Sequence, residues 1–320
     1  MKKLYIGIDI GGTSIKGAFV ERDGTIRTRF GFPIIKGEPQ EETMERLGSL
    51  VLSEMEGQGL SSKDFVGIGV GCPGSIKSKE GVCCYSNNLG WDNLPIASLL
   101  SKKCGLPTKV SNDANVAMLG EATFGAAKNY TNAVLVTIGT GVGGGLFLNG
   151  KLFEGNEGKG AEIGHMVIQM DGGLPCTCGR LGCFETYASV TALIRMTKEA
   201  MHAHPESKMW GYVNNELDEV NGKTAFETSK RGDEAAKAVV DTYENYLTVG
   251  LLNLCNIFRP EVILLGGGLS NQREYLTDAV KKKLEEKHYG FEGTPKVDVV
   301  VTKLGNDAGI LGAAALFMEE

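Results

Sequence analysis

Shifting the chain along itself by 128 positions lays "DIGGTSIKGAFV" (9–20) on "TIGTGVGGGLFL" (137–148). Ile10 then meets Ile138, Gly11 meets Gly139, Gly17 meets Gly145 and Phe19 meets Phe147. Each copy follows a β-rich run ("LYIGI", "AVLV") and continues as a second strand beyond a glycine turn. An internal repeat constrains architecture more than any single motif does. Here it predicts two related lobes, each opening with a β-hairpin whose turn carries no bulky side chain. The length, 320 residues, also suits two domains better than one.

Strand patterns at 3–10, 15–20, 26–32, 65–70, 133–138, 142–148, 261–265 and 297–301 alternate with helical ones. Met44, Leu47, Val51 and Met55 share one helix face, as do Leu276, Val280 and Leu284. A helix over 94–103 is predicted from Pro95 in its first turn and Gly105 past its end, and a long one over 233–258 stops before Pro260. The alternation makes this an α/β protein. The net charge of −6 and the lack of a Lys/Arg tract give no reason to expect nucleic acid. Asp9 interrupts the first apolar run, so "MKKLYIGIDIGGT" reads as a strand rather than a leader, and no stretch suits a membrane span. A cytoplasmic protein is the expectation, and there clustered cysteines favour a metal over a disulfide.

Glycines at a strand–turn–strand bend expose backbone N–H groups, the raw material of an anion cradle. Two such turns could grip a polyphosphate, and Asp9, Thr13 and Lys16 in the first copy strengthen that reading. Asp9 is placed to hold Mg²⁺ through water; its counterpart in the second copy is Thr137. "GVGCPG" (69–74) and "GTGVGG" (139–144) match the dinucleotide fingerprint in letters only, because no helix follows either turn. "GKT" (222–224) lacks the first glycine of a P-loop, since Leu217 stands there. A third glycine turn, "LLGGGLS" (264–270), suits a purine or ribose against bare backbone, or is a plain strand-to-helix loop.

"VSNDANVAMLGEATFG" (110–125) runs from a short strand into a helix, with Asn112 and Asp113 near its start. Asp113 is either a helix cap or a general base that takes a proton from a sugar hydroxyl attacking phosphorus. The helix dipole would keep it ionised, and Asn112 could orient the same sugar. Residue types alone leave both readings open.

With "DIGGTSIKG" (9–17), "SNDAN" (111–115), "TIGTGVGGG" (137–145), "EIGH" (162–165), "CTCGRLGCFE" (176–185) and "LLGGGLS" (264–270), the chain resembles the ROK family of bacterial sugar kinases, and within it the glucokinases. The resemblance runs from Leu4 to about Phe317, and the cysteine block is its most specific part. It implies two ribonuclease H-like lobes of the actin-like ATPase type, with the active site in the interlobe cleft. The lobes are expected at 1–115 plus 304–320 and at 116–303. It implies ATP-dependent phosphorylation, with Mg²⁺, of a hexose 6-hydroxyl. Asp113 matches the catalytic base; Asn112, Asp113, Glu162, His165 and Glu185 match sugar-binding positions. His165, Cys176, Cys178 and Cys183 match structural zinc ligands. The nucleotide would meet Asp9, Gly11, Gly12, Thr13 and Lys16 in the first turn and Thr137, Gly139, Thr140 and Gly141 in the second, with Gly266, Gly267 and Gly268 in the third. A homodimer is typical of the family, and a tetramer is the alternative.

The cluster reads H-x₁₀-C-x-C-x₄-C, four N/S ligands, which fills a closed tetrahedral zinc site and leaves no open position for chemistry. Such a metal shapes the loop that carries Glu162 and Glu185, and His165 would keep one ring N–H for a sugar oxygen. Cys72, Cys83, Cys84, Cys104 and Cys255 show no ligand spacing and read as small apolar filler. His202, His204 and His288 read as solvated, and "NNLGW" (87–91) offers Asn87, Asn88 and Trp91 as further sugar contacts. A sugar-responsive repressor would need a DNA-binding module before the first phosphate strand, which begins within five residues of Met1. A polymerising ATPase would have no use for the zinc loop. N-acetylmannosamine, N-acetylglucosamine, mannose or fructose as substrate, and polyphosphate as donor, remain the alternatives inside the kinase class.

Overall fold

The computed structural model describes residues 3–272, 274–287, 289, 290, 293 and 295–318. His288 lies outside the described residues. In chain order the first half gives β1 (Leu4–Ile10), β2 (Ser14–Val20), β3 (Ile26–Pro33), α1 (Gln40–Gly57), β4 (Phe65–Cys72) and β5 (Ser75–Lys77). There follow β6 (Val82–Ser86), β7 (Trp91–Leu94), α2 (Ile96–Cys104), β8 (Thr108–Asn112) and α3 (Asp113–Thr123). The next strands are β9 (Ala133–Ile138), β10 (Val142–Leu148) and β11 (Lys151–Phe153). Helices α4 (Glu185–Ala188), α5 (Val190–Ala203), α6 (Lys208–Tyr212), α7 (Thr224–Lys230) and α8 (Glu234–Phe258) come next. The chain closes with β12 (Val262–Gly266), α9 (Glu274–Lys287), β13 (Asp298–Val301) and α10 (Ala308–Ala315).

The repeat is present in the sheets. One has the order β3-β2-β1-β4-β8, the other β11-β10-β9-β12-β13. In the first, β1, β2 and β3 run antiparallel while β4 and β8 lie parallel to β1. In the second, β10 and β11 are antiparallel and β12 is parallel to β9 and β13. β2 begins at 14 and β10 at 142, the spacing of the repeat.

Two compact units result: 1–131 with 145–161 and 303–320, and 132–144 with 162–302. This division differs from the expected boundary at 115/116 because α3 stays with the first unit. It lies against α10 so closely that a Cβ at Gly312 would overlap the carbonyl of Val116. In the first unit, Met44, Leu47, Val51 and Met55 of α1 are buried with Ile6, Ile8, Ile68 and Val70 of the sheet. In the second, Leu135, Val136, Ile263 and Leu264 are buried, as are Leu276, Val280 and Leu284 of α9. Pro95 is the residue before α2 rather than within its first turn; Gly105 (φ 67°) ends it. Asp233 caps α8 by accepting the Ala236 N–H at 2.7 Å, and the helix stops before Pro260. Among the described residues no helix is long and apolar enough to cross a membrane.

Candidate functional site

In the first unit the register brings three sequence-distant segments to one sheet edge. Asp9 stands beside Gly71, Gly71 beside Ser111, and Cys72 beside Asn112, at the carboxyl ends of parallel β1, β4 and β8. Open α/β sheets bind ligands at that edge. Asn112 is the N-cap of α3: its Oδ1 accepts the Ala114 N–H at 2.9 Å, and its Nδ2 donates to the Gly74 carbonyl at 3.0 Å. Asp113 is therefore the first helical residue, not the cap, and its Oδ1 accepts the same Ala114 N–H at 2.9 Å. Burial pushes its carboxyl above the ordinary carboxylate range, against the Ala114 N–H that lowers it. Sequence reasoning expected the dipole to dominate; desolvation by the atoms packed round the β8–α3 corner outweighs it, although the residue keeps a face open to solvent.

Asp9 responds to the same surroundings. Burial first, then the charge of Asp113, pushes it up to about 6, while Lys16 pulls down. Lys16 is its partner across the β1–β2 hairpin. The Asp9 carboxyl carbon stands 2.6 Å from where a Cβ of Gly309 would lie, in the first turn of α10. Gly309 was missed from sequence; a glycine within "AGILGAAA" signals only close packing. In the hairpin turn the Gly11 N–H donates to Ser14 at 2.9 Å and the Thr13 carbonyl accepts from Ile34 at 2.9 Å. Gly12 and Thr13 are exposed. The carboxylate oxygens of Asp9 and Asp113 are the donor type that a hard divalent cation takes, and the Lys16 ammonium suits phosphate oxygens instead.

In the second unit the glycine turns after β9 and β12 are neighbours, since Gly266 pairs with Thr137. The carbonyls of Gly139 and Thr140 accept from the Val190 N–H (2.9 Å) and Thr191 Oγ1 (2.8 Å) at the start of α5. In trans peptides this turns the N–H groups of Thr140 and Gly141 the opposite way, as an anion cradle requires. Gly267 has φ 83°, and a Cβ there would overlap the Ile138 carbonyl, so only glycine serves. Gly268 then opens a short 3₁₀ turn (Gly268–Gln272). The two spurious fingerprint matches behave as expected: β5 follows one and β10 begins within the other.

The same unit gathers His165, Cys176, Cys178 and Cys183, with their ligand atoms all within 4.8 Å of one another. His165 Nδ1 lies 3.6 Å from Cys176 Sγ, and Cys178 Sγ lies 3.6 Å from Cys183 Sγ. Tetrahedral sulfur ligands at a Zn–S distance of ~2.3 Å stand ~3.8 Å apart, so donor set and spacing both fit Zn²⁺. The Arg180 backbone N–H and guanidinium pull Cys178 down to about 6, favouring the thiolate that a metal needs. The loop is anchored beside the cluster. Phe184 is fully buried with its ring against Gly250 of α8, and Tyr187 OH accepts the Leu174 N–H at 2.8 Å.

Glu185 follows directly. Its Oε1 accepts from Cys176 Sγ at 3.0 Å and lies 3.7 Å from His165 Nδ1, while its Oε2 lies 3.5 Å from the Val142 N–H. The carboxylate thus stands between the thiol cluster and the second glycine turn. Glu162 is exposed, one turn before His165, whose N–H bonds its carbonyl at 3.1 Å. His202 and His204 close α5, and His204 pairs with Glu206 at 3.0 Å. Cys72, Cys83, Cys104 and Cys255 are buried, with Cys84 partly so. Trp91 is not a sugar platform: it is buried in the core of the first unit, 4% exposed. Asn87 receives a bond from Tyr85 OH at 3.1 Å.

The glucokinase of Halalkalibacterium halodurans is 35% identical over 99% of this chain and 95% of its own length. That of Streptomyces coelicolor is 34% identical over 99% and 98%. The crystal structure of a ROK family glucokinase from Streptomyces griseus, in complex with glucose and AMPPNP, superposes with a TM-score of 0.79 at 33% identity, covering 98% of each chain. The ROK family model itself matches residues 5–320, and the chain belongs to the ROK family.

Proposed function

We propose that the protein is an ATP-dependent glucokinase in the cytoplasm, with Asp113 as general base. The observation that carries the reading is the Asp113 carboxyl at the β8–α3 corner, exposed enough for a substrate hydroxyl to reach and with its proton affinity raised above the ordinary carboxylate value by desolvation. The full-length glucokinase relatives and the glucose-bound ROK structure supply the substrate class. Asp113 accepts the proton of the sugar 6-hydroxyl as that oxygen attacks the γ-phosphorus, and ADP leaves. Asn112, anchored by Gly74, orients neighbouring hydroxyls. Glu162, Glu185 and the Nε2 side of His165 bond further hydroxyls; Nδ1 is the nitrogen that faces the thiols.

The N–H groups of Gly12 and Thr13 in the first turn and of Thr140 and Gly141 in the second are the donors for nucleotide phosphates, with Gly11, Gly139, Lys16 and Thr137 shaping those turns, and Gly266–Gly268 give the nucleoside a bare backbone surface. Asp9 would hold Mg²⁺, which neutralises phosphate charge. His165, Cys176, Cys178 and Cys183 would hold Zn²⁺, which closes the loop and supplies no reacting position. A coupled ADP-release assay across glucose, mannose, fructose and the N-acetylated hexosamines, with ATP and polyphosphate as donors, tests the assignment. Glucose with ATP should give the highest kcat/KM; a tenfold preference for another sugar or donor reassigns the substrate.

A further inference from the structure

Glu154 has no role in the reaction described above, yet it is bonded to the strand that leads into the proposed base. Its Oε1 accepts from Ser78 Oγ at 2.8 Å and, in a closer bond, from Ser111 Oγ. Ser111 is 1% exposed, the next-to-last residue of β8 and two before Asp113. Ser78 follows β5, whose hairpin starts at the Gly74 that Asn112 holds. One carboxylate oxygen therefore joins the β8–α3 corner to the hairpin facing it, and Asn112 joins the same two segments from the other side. Glu154 is itself fixed. The Gly160 N–H bonds its carbonyl at 2.8 Å, and Gly158 sits against the Ile76 carbonyl and Ser78. Hydrogen bonds to a charged acceptor are about twice as strong as neutral ones, and a buried hydroxyl that loses its acceptor is costly.

We propose that Glu154 is a positioning residue for phosphoryl transfer: through Ser111 and Ser78 it holds Asn112 and Asp113 in their working geometry. The inference rests on the kinase reading. Misplacing a catalytic group by about 1 Å costs about 10²-fold in rate. Glu154→Gln keeps the side-chain shape and removes the charge. It should lower kcat for glucose at least tenfold, leave KM for glucose and ATP within about threefold, and shift the acid limb of the pH–rate profile. Because Glu154 acts through Ser111, Glu154→Gln with Ser111→Ala should be no slower than the slower single variant. Amide exchange at Ala114, whose N–H both Asn112 and Asp113 accept, should speed up at least tenfold in Glu154→Gln. Unchanged kcat and pH profile, or a fall in Tm with kcat intact, would overturn the role. If the wild-type protein phosphorylates no sugar, the kinase reading fails, and unchanged Ala114 exchange would still reject the positioning contact.

Discussion

At the scale of the residue, the proposed chemistry rests on two carboxyl groups, Asp9 and Asp113, whose proton affinity desolvation raises. Asp9 binds its proton more tightly folded, at about 6, than its ordinary value of 3.8. A folded value raised in this way gives stability that is fully present below about pH 4 and is lost as the pH rises through about 6. Asp9→Asn removes that loss, so its Tm without ligands should exceed the wild-type Tm by a few degrees at pH 7.5 and match it near pH 4. Calorimetry across that window checks the sign. The same pair should give kcat/KM an acid limb above the ordinary carboxylate value, with an apparent midpoint that belongs to both groups. Asp113→Asn cannot take the hydroxyl proton. Its kcat should fall by roughly 10²–10⁴-fold while glucose binding, measured by calorimetric titration, stays within about threefold. Near-normal turnover would remove Asp113 from the base role.

At the scale of the element, the hairpins, the amphipathic helices and the cysteine block were legible because their signals are local. The periodicity of α1 and α9, the ends of α2 and α8 marked by Gly105 and Pro260, and the glycine turns all lie within a few neighbouring residues. β5, β6 and β7 were not legible: they are three to five residues long within a turn-rich stretch. α10 escaped because "AGILGAAA" is buried nearly all round and shows no polar face. Glu154 had no motif; its importance comes from Ser78 and Ser111, far off in sequence. Two predictions belong here. Cys178→Ala should empty the metal site and raise the sugar KM at least tenfold with ATP affinity within about twofold; unchanged sugar affinity with the metal gone would break the link between loop and sugar. Gly267→Ala forces a Cβ onto the Ile138 carbonyl at φ 83° and should cost at least about 1 kcal/mol in urea unfolding while raising the ATP KM.

At the scale of the whole molecule, one strand plan is used twice, and each copy ends its parallel strands in ligand-ready turns. In the first unit these turns carry Asp9, Asn112 and Asp113; in the second they carry Thr137–Gly141 and Gly266–Gly268 beside the thiol cluster. The repeat spacing of 128 was readable because both hairpins kept their glycines in register. The unit boundary was not, because it depends on α10 returning to pack on α3. The most direct test is ³¹P NMR of the reaction of the zinc-loaded protein with glucose, ATP and Mg²⁺. The account predicts glucose 6-phosphate and ADP in equal amounts, with turnover of about 1–10³ s⁻¹. ADP formed without a phosphorylated sugar, or phosphate placed on a different hydroxyl, would contradict it.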